Sequence, residues 1–150
     1  MDALLESERM PEMSEHEPRY PLMEHSAETL RAASRRALGD ITLEALAAGE
    51  LDADDLRIRA ETLRAQAEIA AEAGYPELAA NLRRAAELTA LPNDELLRAY
   101  EMMRPGRSTV GELRALAERL EQEYGARETA AFIREAAEVY AARGLAASDG

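Results

Sequence analysis

The residues that could move protons or hold metals are few, and they are badly placed for that work. His16 and His25 lie in or beside an acidic N-terminal stretch that carries Pro11 and Pro18. A catalytic or ligating histidine needs a second group to fix its tautomer and aim, so these two are expected to be solvated. Asp52-x-Asp54-Asp55 opens like a calcium-binding loop. Arg57 stands where that loop needs glycine, however, and Leu63 where it needs glutamate. Helix capping is the expected role. Glu118/Glu121 and Glu135/Glu138 have helical spacing beside Arg119 and Arg134. That pattern describes a solvated charged face, because acid–base work requires a cleft and shifted pKa values. No Glu-x-x-His pair and no glycine-rich phosphate loop occurs. Cysteine and lysine are absent, which excludes disulfides, thiolate chemistry and Schiff bases. No catalytic, cofactor-binding or metal-ligating residue is expected in the chain.

Arg104-Pro105-Gly106-Arg107-Ser108-Thr109 differs in kind. Two arginines project from a rigid turn ahead of a helix N-terminus, a geometry suited to gripping a carboxylate or phosphate. Arg104, Arg107 and Ser108 are therefore candidates for partner contact. The plainer alternative is a loop whose one task is to let Thr109 cap the next helix.

The elements that must position these residues are helical. Ser26 offers an N-cap for Ala27–Leu38, with Gly39 as a stop. Thr42 caps a short helix, Leu43–Ala48. In Glu61–Ala73 the apolar stripe is Leu63, Ala67, Ala70 and Ala71, at helical spacing. Gly74-Tyr75 turns the chain, and Pro76 suits the first turn of Pro76–Leu91, whose stripe is Leu78, Leu82, Ala85 and Ala86. So short a joint predicts an antiparallel helical hairpin. Asn93 is read as the cap of a helix carrying Leu96, Leu97, Tyr100 and Met103. Thr109-x-x-Glu112 reads as a capping box for a helix striped by Leu113, Leu116, Ala117, Leu120 and Tyr124, ended by Gly125. The last helix, about Arg127–Arg143, carries Ile133, Ala136, Ala137 and Tyr140, widened by Phe132 and Val139. The fold class is all-α, with about five to seven helices in antiparallel hairpins. Residues 1–19 are expected to be a disordered tail, 20–145 the helical domain and 146–150 a frayed end.

A length of 150 residues suggests one domain. The balance of 18 basic against 30 acidic residues, net −12, disfavours nucleic acid as a partner. No apolar run approaches the roughly 20 residues needed to span a bilayer, and Met1–Arg9 lacks the apolar block of a secretory signal. A cytoplasmic protein is expected. Every basic side chain is arginine. That fits a GC-rich genome, or an interface in which arginine's planar fork meets a partner's carboxylates. Much of the apolar content is alanine, whose buried methyl contributes about 0.8 kcal/mol against about 1.5–3 for leucine. So thin a core favours a chain that completes its burial on another subunit.

Three runs of sequence carry a specific likeness. They are Glu61-Thr62-Leu63-Arg64-x-Gln66-Ala67, Leu78-Ala79-x-Asn81-x-x-Arg84-Ala85-Ala86-Glu87-Leu88-Thr89, and Arg104-Pro105-x-Arg107-Ser108-Thr109. Together with Tyr20-Pro21-Leu22, Thr42-Leu43-Glu44 and Ala131-Phe132-x-Arg134-Glu135-Ala136-Ala137-x-x-Tyr140, the chain resembles the small subunit of adenosylcobalamin-dependent diol and glycerol dehydratases. The resemblance implies a helical subunit that joins a large and a medium subunit in a dimer of heterotrimers. The large subunit is a β/α barrel holding substrate and a metal ion, and adenosylcobalamin lies between the large and medium subunits. The implied reaction begins with homolysis of the cobalt–carbon bond. It then converts 1,2-propanediol or glycerol to an aldehyde by hydrogen abstraction, hydroxyl migration and loss of water. The small subunit supplies no catalytic residue, and Tyr20 joins the candidate partner contacts. Ser26-Ala27-Glu28-Thr29 replaces a His-Pro-Glu-Trp stretch of relatives, Ala60 a proline and Gly106 a frequent tyrosine. Met1–Arg19 is a candidate for directing such an enzyme into a bacterial microcompartment. The competing readings are a free-standing helical adaptor with no enzyme partner, and a helical-bundle enzyme with its own site.

Overall fold

The computed structural model describes residues 20–148. The expectations placed on the tail, including His16 and any targeting role, lie outside the described residues. Among those residues the α-helices are α1 (Leu22–His25), α2 (Leu43–Ala47), α3 (Ala60–Glu72), α4 (Pro76–Leu88), α5 (Asn93–Met102), α6 (Val110–Tyr124) and α7 (Arg127–Arg143). Single 3-10 turns stand at Leu38–Asp40 and Ala53–Asp55. The extended backbone contacts reduce to one isolated antiparallel bridge, Arg31 to Ala37. The all-α class follows.

Two helical hairpins form the body, α3 on α4 and α6 on α7, and α4 leans on α7. The first hairpin closes on alanine. Ala67 and Ala79 are fully buried, with Ala70 beside them and Leu82 half-buried. The second hairpin holds the larger side chains: Leu113, Leu116 and Leu120 of α6 pack with Ile133 and the alanines of α7. Leu91 and Ala99 join this core from the segment that follows α4. At about 1.5–3 kcal/mol for a buried leucine against about 0.8 for an alanine methyl, the α6–α7 pair is the stronger of the two.

The caps follow the chemistry of the residues. The Thr109 hydroxyl accepts from the Glu112 amide at 3.2 Å while the Glu112 carboxylate accepts from the Thr109 amide at 2.8 Å. Thr42 accepts from Ala45. Pro76 occupies the first turn of α4. Gly125 and Gly144 close α6 and α7 with φ of 67° and 64°, a left-handed conformation that strains any residue with a Cβ.

Several expectations are corrected. Ala27–Leu38 is not a helix. Ser26 instead closes α1, its amide donating to the Leu22 carbonyl, and the chain then folds into a tight loop with Arg35 at φ 72°. Asn93 is the first residue of α5 rather than its cap; Pro92 precedes it with no side-chain bond. Helix α4 ends at Leu88, three residues earlier than expected, because Ala90 and Leu91 bond in tighter i to i−3 turns. Ala71 is exposed, and the buried face of α4 runs through Ala79 and Ala86, leaving Leu78 at 51% exposure. Arg119 does not sit with Glu118 and Glu121; it reaches across to Glu95 of α5. Ala146 and Ala147 are half-buried rather than frayed, and the Ala147 amide donates to the Ser108 carbonyl at 2.8 Å.

Candidate interaction surfaces

The arginine turn is built by the end of α5 and the start of α6. Arg104 Nη1 lies 2.9 Å from Glu101 Oε2, and Arg107 Nε lies 3.2 Å from Glu101 Oε1. One exposed carboxylate thus holds both cations side by side. The hydrogen bond from Arg104, with the charges of Arg104 and Arg107 behind it, holds the Glu101 carboxyl below the usual glutamate range. Ser108 is 4% exposed, so its side chain belongs to the interior of the turn. The C-terminal segment braces the turn twice: the Gly106 amide donates to the Leu145 carbonyl at 2.7 Å, and Ala147 bonds Ser108. Tyr20 is 71% exposed and belongs to a different group of residues, with Pro21, Leu30, Ile41, Ile58 and Thr62.

The charged face expected on α6 and α7 is a ladder between the two helices. Arg114 pairs with Glu138 at 2.6 Å and Arg134 with Glu121 at 2.5 Å. Exposed pairs of this kind contribute little each, about 0–1 kcal/mol. They do not pair two carboxylates for acid–base work.

Two carboxylates, one buried and one partly buried, have long-range partners that the sequence does not mark. Asp55 is almost fully buried and accepts from Ser34 Oγ at 2.5 Å, from Arg36 Nε at 3.0 Å and from the Asp52 amide at 2.8 Å. The Ser34 bond first, then the Asp52 amide, then Arg36 hold its carboxyl below the ordinary aspartate range against the opposing effect of burial. The sequence placed Asp55 in a capping turn, and Asp52 does form a reciprocal capping box with it. The long-range partners Ser34 and Arg36 carry no local signature. The second arrangement is Glu87 of α4. It accepts from the Glu128 amide at 2.9 Å, the Thr129 amide at 2.8 Å and the Thr129 hydroxyl at 2.6 Å. Helix α7 starts after Ala126, which has no capping side chain, so a carboxylate from another helix fills that role. Neither arrangement presents a free reactive group.

Between α4, α5 and α7 lies an open apolar groove of about 500 Å³. Its walls include Leu78 at 51%, Tyr100 at 62% and Phe132 at 45% exposure. Phe132, which widens the apolar stripe of α7, stands on this open surface. Arg84 lies over its ring, 4.6 Å from the centroid. Sequence periodicity marked Leu78, Leu97 and Tyr100 as apolar without showing that they face outward. Among the described residues no cluster of three His, Asp or Glu side chains is arranged to hold a metal, and no helix is long and apolar enough to cross a membrane.

Among the described residues, then, the structure defines an all-α class with capped helices and several large apolar side chains left on its surface. The family model described as dehydratase small subunit matches residues 16–146. The chain is 49% identical to the propanediol dehydratase small subunit of Citrobacter freundii over 124 residues, which are 83% of this chain and 72% of that protein. It is 48% identical over the same span to the propanediol dehydratase small subunit of Salmonella typhimurium strain LT2. The chain belongs to the dehydratase small-subunit family.

Proposed function

We propose that this chain is the non-catalytic structural small subunit of an adenosylcobalamin-dependent diol or glycerol dehydratase, which converts 1,2-propanediol or glycerol to the aldehyde with loss of water. The observation that carries the reading is the near-half identity to two propanediol dehydratase small subunits across 83% of the chain. The partners are a large barrel subunit and a medium subunit, in a dimer of heterotrimers. The residues of this chain do not fit the group that does the chemistry. His25 is exposed on the last turn of α1, and among the described residues no acidic cluster is shaped for a cation. In this reading adenosylcobalamin and the metal ion belong to the sister subunits, and this chain takes no chemical step. The location is cytoplasmic, inside a bacterial microcompartment where the enzyme is so packaged.

Within this reading, Arg104 and Arg107 anchor a partner subunit, with Tyr20 as a separate contact. Ser108 acts from inside, fixing the turn that carries the arginines. Because Glu101 already balances part of their charge, these arginines contribute direction and bidentate hydrogen bonding more than net attraction.

The test is co-expression with large and medium dehydratase subunits, followed by native mass measurement and an aldehyde assay with added adenosylcobalamin. Activity is expected only when this chain is present. Full activity from the other two subunits alone, or a chain that stays monomeric beside them, overturns the proposal. The Arg104→Ala/Arg107→Ala double variant is expected to lower recovery of the complex, and unchanged recovery removes the anchoring role.

A further inference from the structure

We infer that the groove between α4, α5 and α7 seats an apolar segment of a sister dehydratase subunit that carries a carboxylate to Arg84. The inference rests on the small-subunit reading above and adds to it a place and a chemistry. Aromatic side chains make up only 4% of this chain, and Phe132 is its single phenylalanine. Even so, Leu78, Tyr100 and Phe132 stand open around one concavity instead of in either core. Exposed apolar residues scattered singly need no explanation, but a contiguous lining does.

Arg84 specifies the occupant. Several arginines of the helical hairpins are paired with a carboxylate. Arg83 pairs with Glu68, Arg119 with Glu95 and Arg134 with Glu121. Arg84 does not. Its guanidinium lies on the Phe132 ring, and its Nη2 donates to the neutral amide oxygen of Asn81 at 2.7 Å. A planar cation held against an aromatic face, with donors to spare and no carboxylate partner among the described residues, is complementary to a carboxylate arriving from outside. A second copy of this chain fits poorly. An isologous contact through the groove brings two Arg84 side chains into one interface without an anion. Met103, which lines the groove, directly precedes Arg104 of the arginine turn in the chain.

The experiment uses the co-expressed complex. A photo-crosslinking phenylalanine analogue is placed at Phe132 or Tyr100, with Tyr75, exposed at the tip of the α3–α4 hairpin, as control. Crosslinks to a sister subunit are expected from Phe132 and Tyr100 and not from Tyr75. Arg84→Glu is expected to weaken retention of the chain in the complex about tenfold or more, by placing like charges together. Should that variant fold poorly, the crosslinking positions, which keep an aromatic side chain, still decide. Normal assembly with no groove crosslinks and no effect of Arg84→Glu sinks the groove and leaves the small-subunit reading intact. Crosslinks only between two copies of this chain also overturn it. Failure of the unmodified chain to assemble removes both readings.

Discussion

A buried carboxylate is expensive unless every oxygen is used, and Asp55 uses both. Oδ1 takes Ser34 and Arg36, and Oδ2 takes the Asp52 amide. The arrangement explains why residues 27–38 abandon the helix that their composition favours. Ser34 and Arg36 are drawn to Asp55, and Arg35 between them adopts φ 72°. That conformation costs about 1–2 kcal/mol for a residue with a Cβ. Propensity spans less than about 1 kcal/mol per residue for such types, so the long-range bonds win. The folded-state pKa of Asp55 lies below its unfolded value. The stabilisation is therefore present above about pH 4, the unfolded aspartate range, and is lost as pH falls through the lower folded value. Asp55→Asn is expected to melt lower than the native chain at pH 7, with the gap narrowing as both are acidified below about pH 4. A gap independent of pH would contradict the charge-based account. Glu87 makes a similar argument across helices. Glu87→Ala is expected to lower stability by about 1–2 kcal/mol, as loss of an N-cap does, with the earliest rise in amide exchange at Glu128 and Thr129.

Elements defined by local chemistry were legible in the sequence, and those defined by distant partners were not. The α6 capping box, the Gly74-Tyr75 joint and Pro76 at the head of α4 all rest on residues within four positions of each other. The stripe of α6 was read correctly because leucines at Leu113, Leu116 and Leu120 outweigh their neighbours. The stripes of α3 and α4 were read less well. When alanine sits on several faces, period alone cannot say which alanine is inside, and Leu78 was placed on the wrong side. The same ambiguity hid the groove, because an apolar residue in sequence looks identical whether its neighbour is its own core or another chain. Gly125 offers a clean test at this scale. An added Cβ would meet nothing within 4 Å, so Gly125→Ala probes backbone conformation alone. It is expected to destabilise by about 1 kcal/mol, read by thermal melting.

At the scale of the molecule, burial is divided between a leucine core in α6–α7 and an alanine core in α3–α4. An isolated chain of this kind should melt early, and the α3–α4 hairpin should open before the α6–α7 pair. Hydrogen exchange ordered by element checks this directly. Excess sister subunits should raise the melting temperature, since a partner that binds only the folded form stabilises it by mass action. An unshifted melting temperature in their presence argues that the exposed apolar residues are not an interface.

The hydrogen bond from Ala147 to Ser108 has a practical corollary for anyone handling this protein. Leu145 and Ala147 act as a clasp on the Arg104–Thr109 bend. Cutting the chain back to Gly144 would therefore loosen the bend itself.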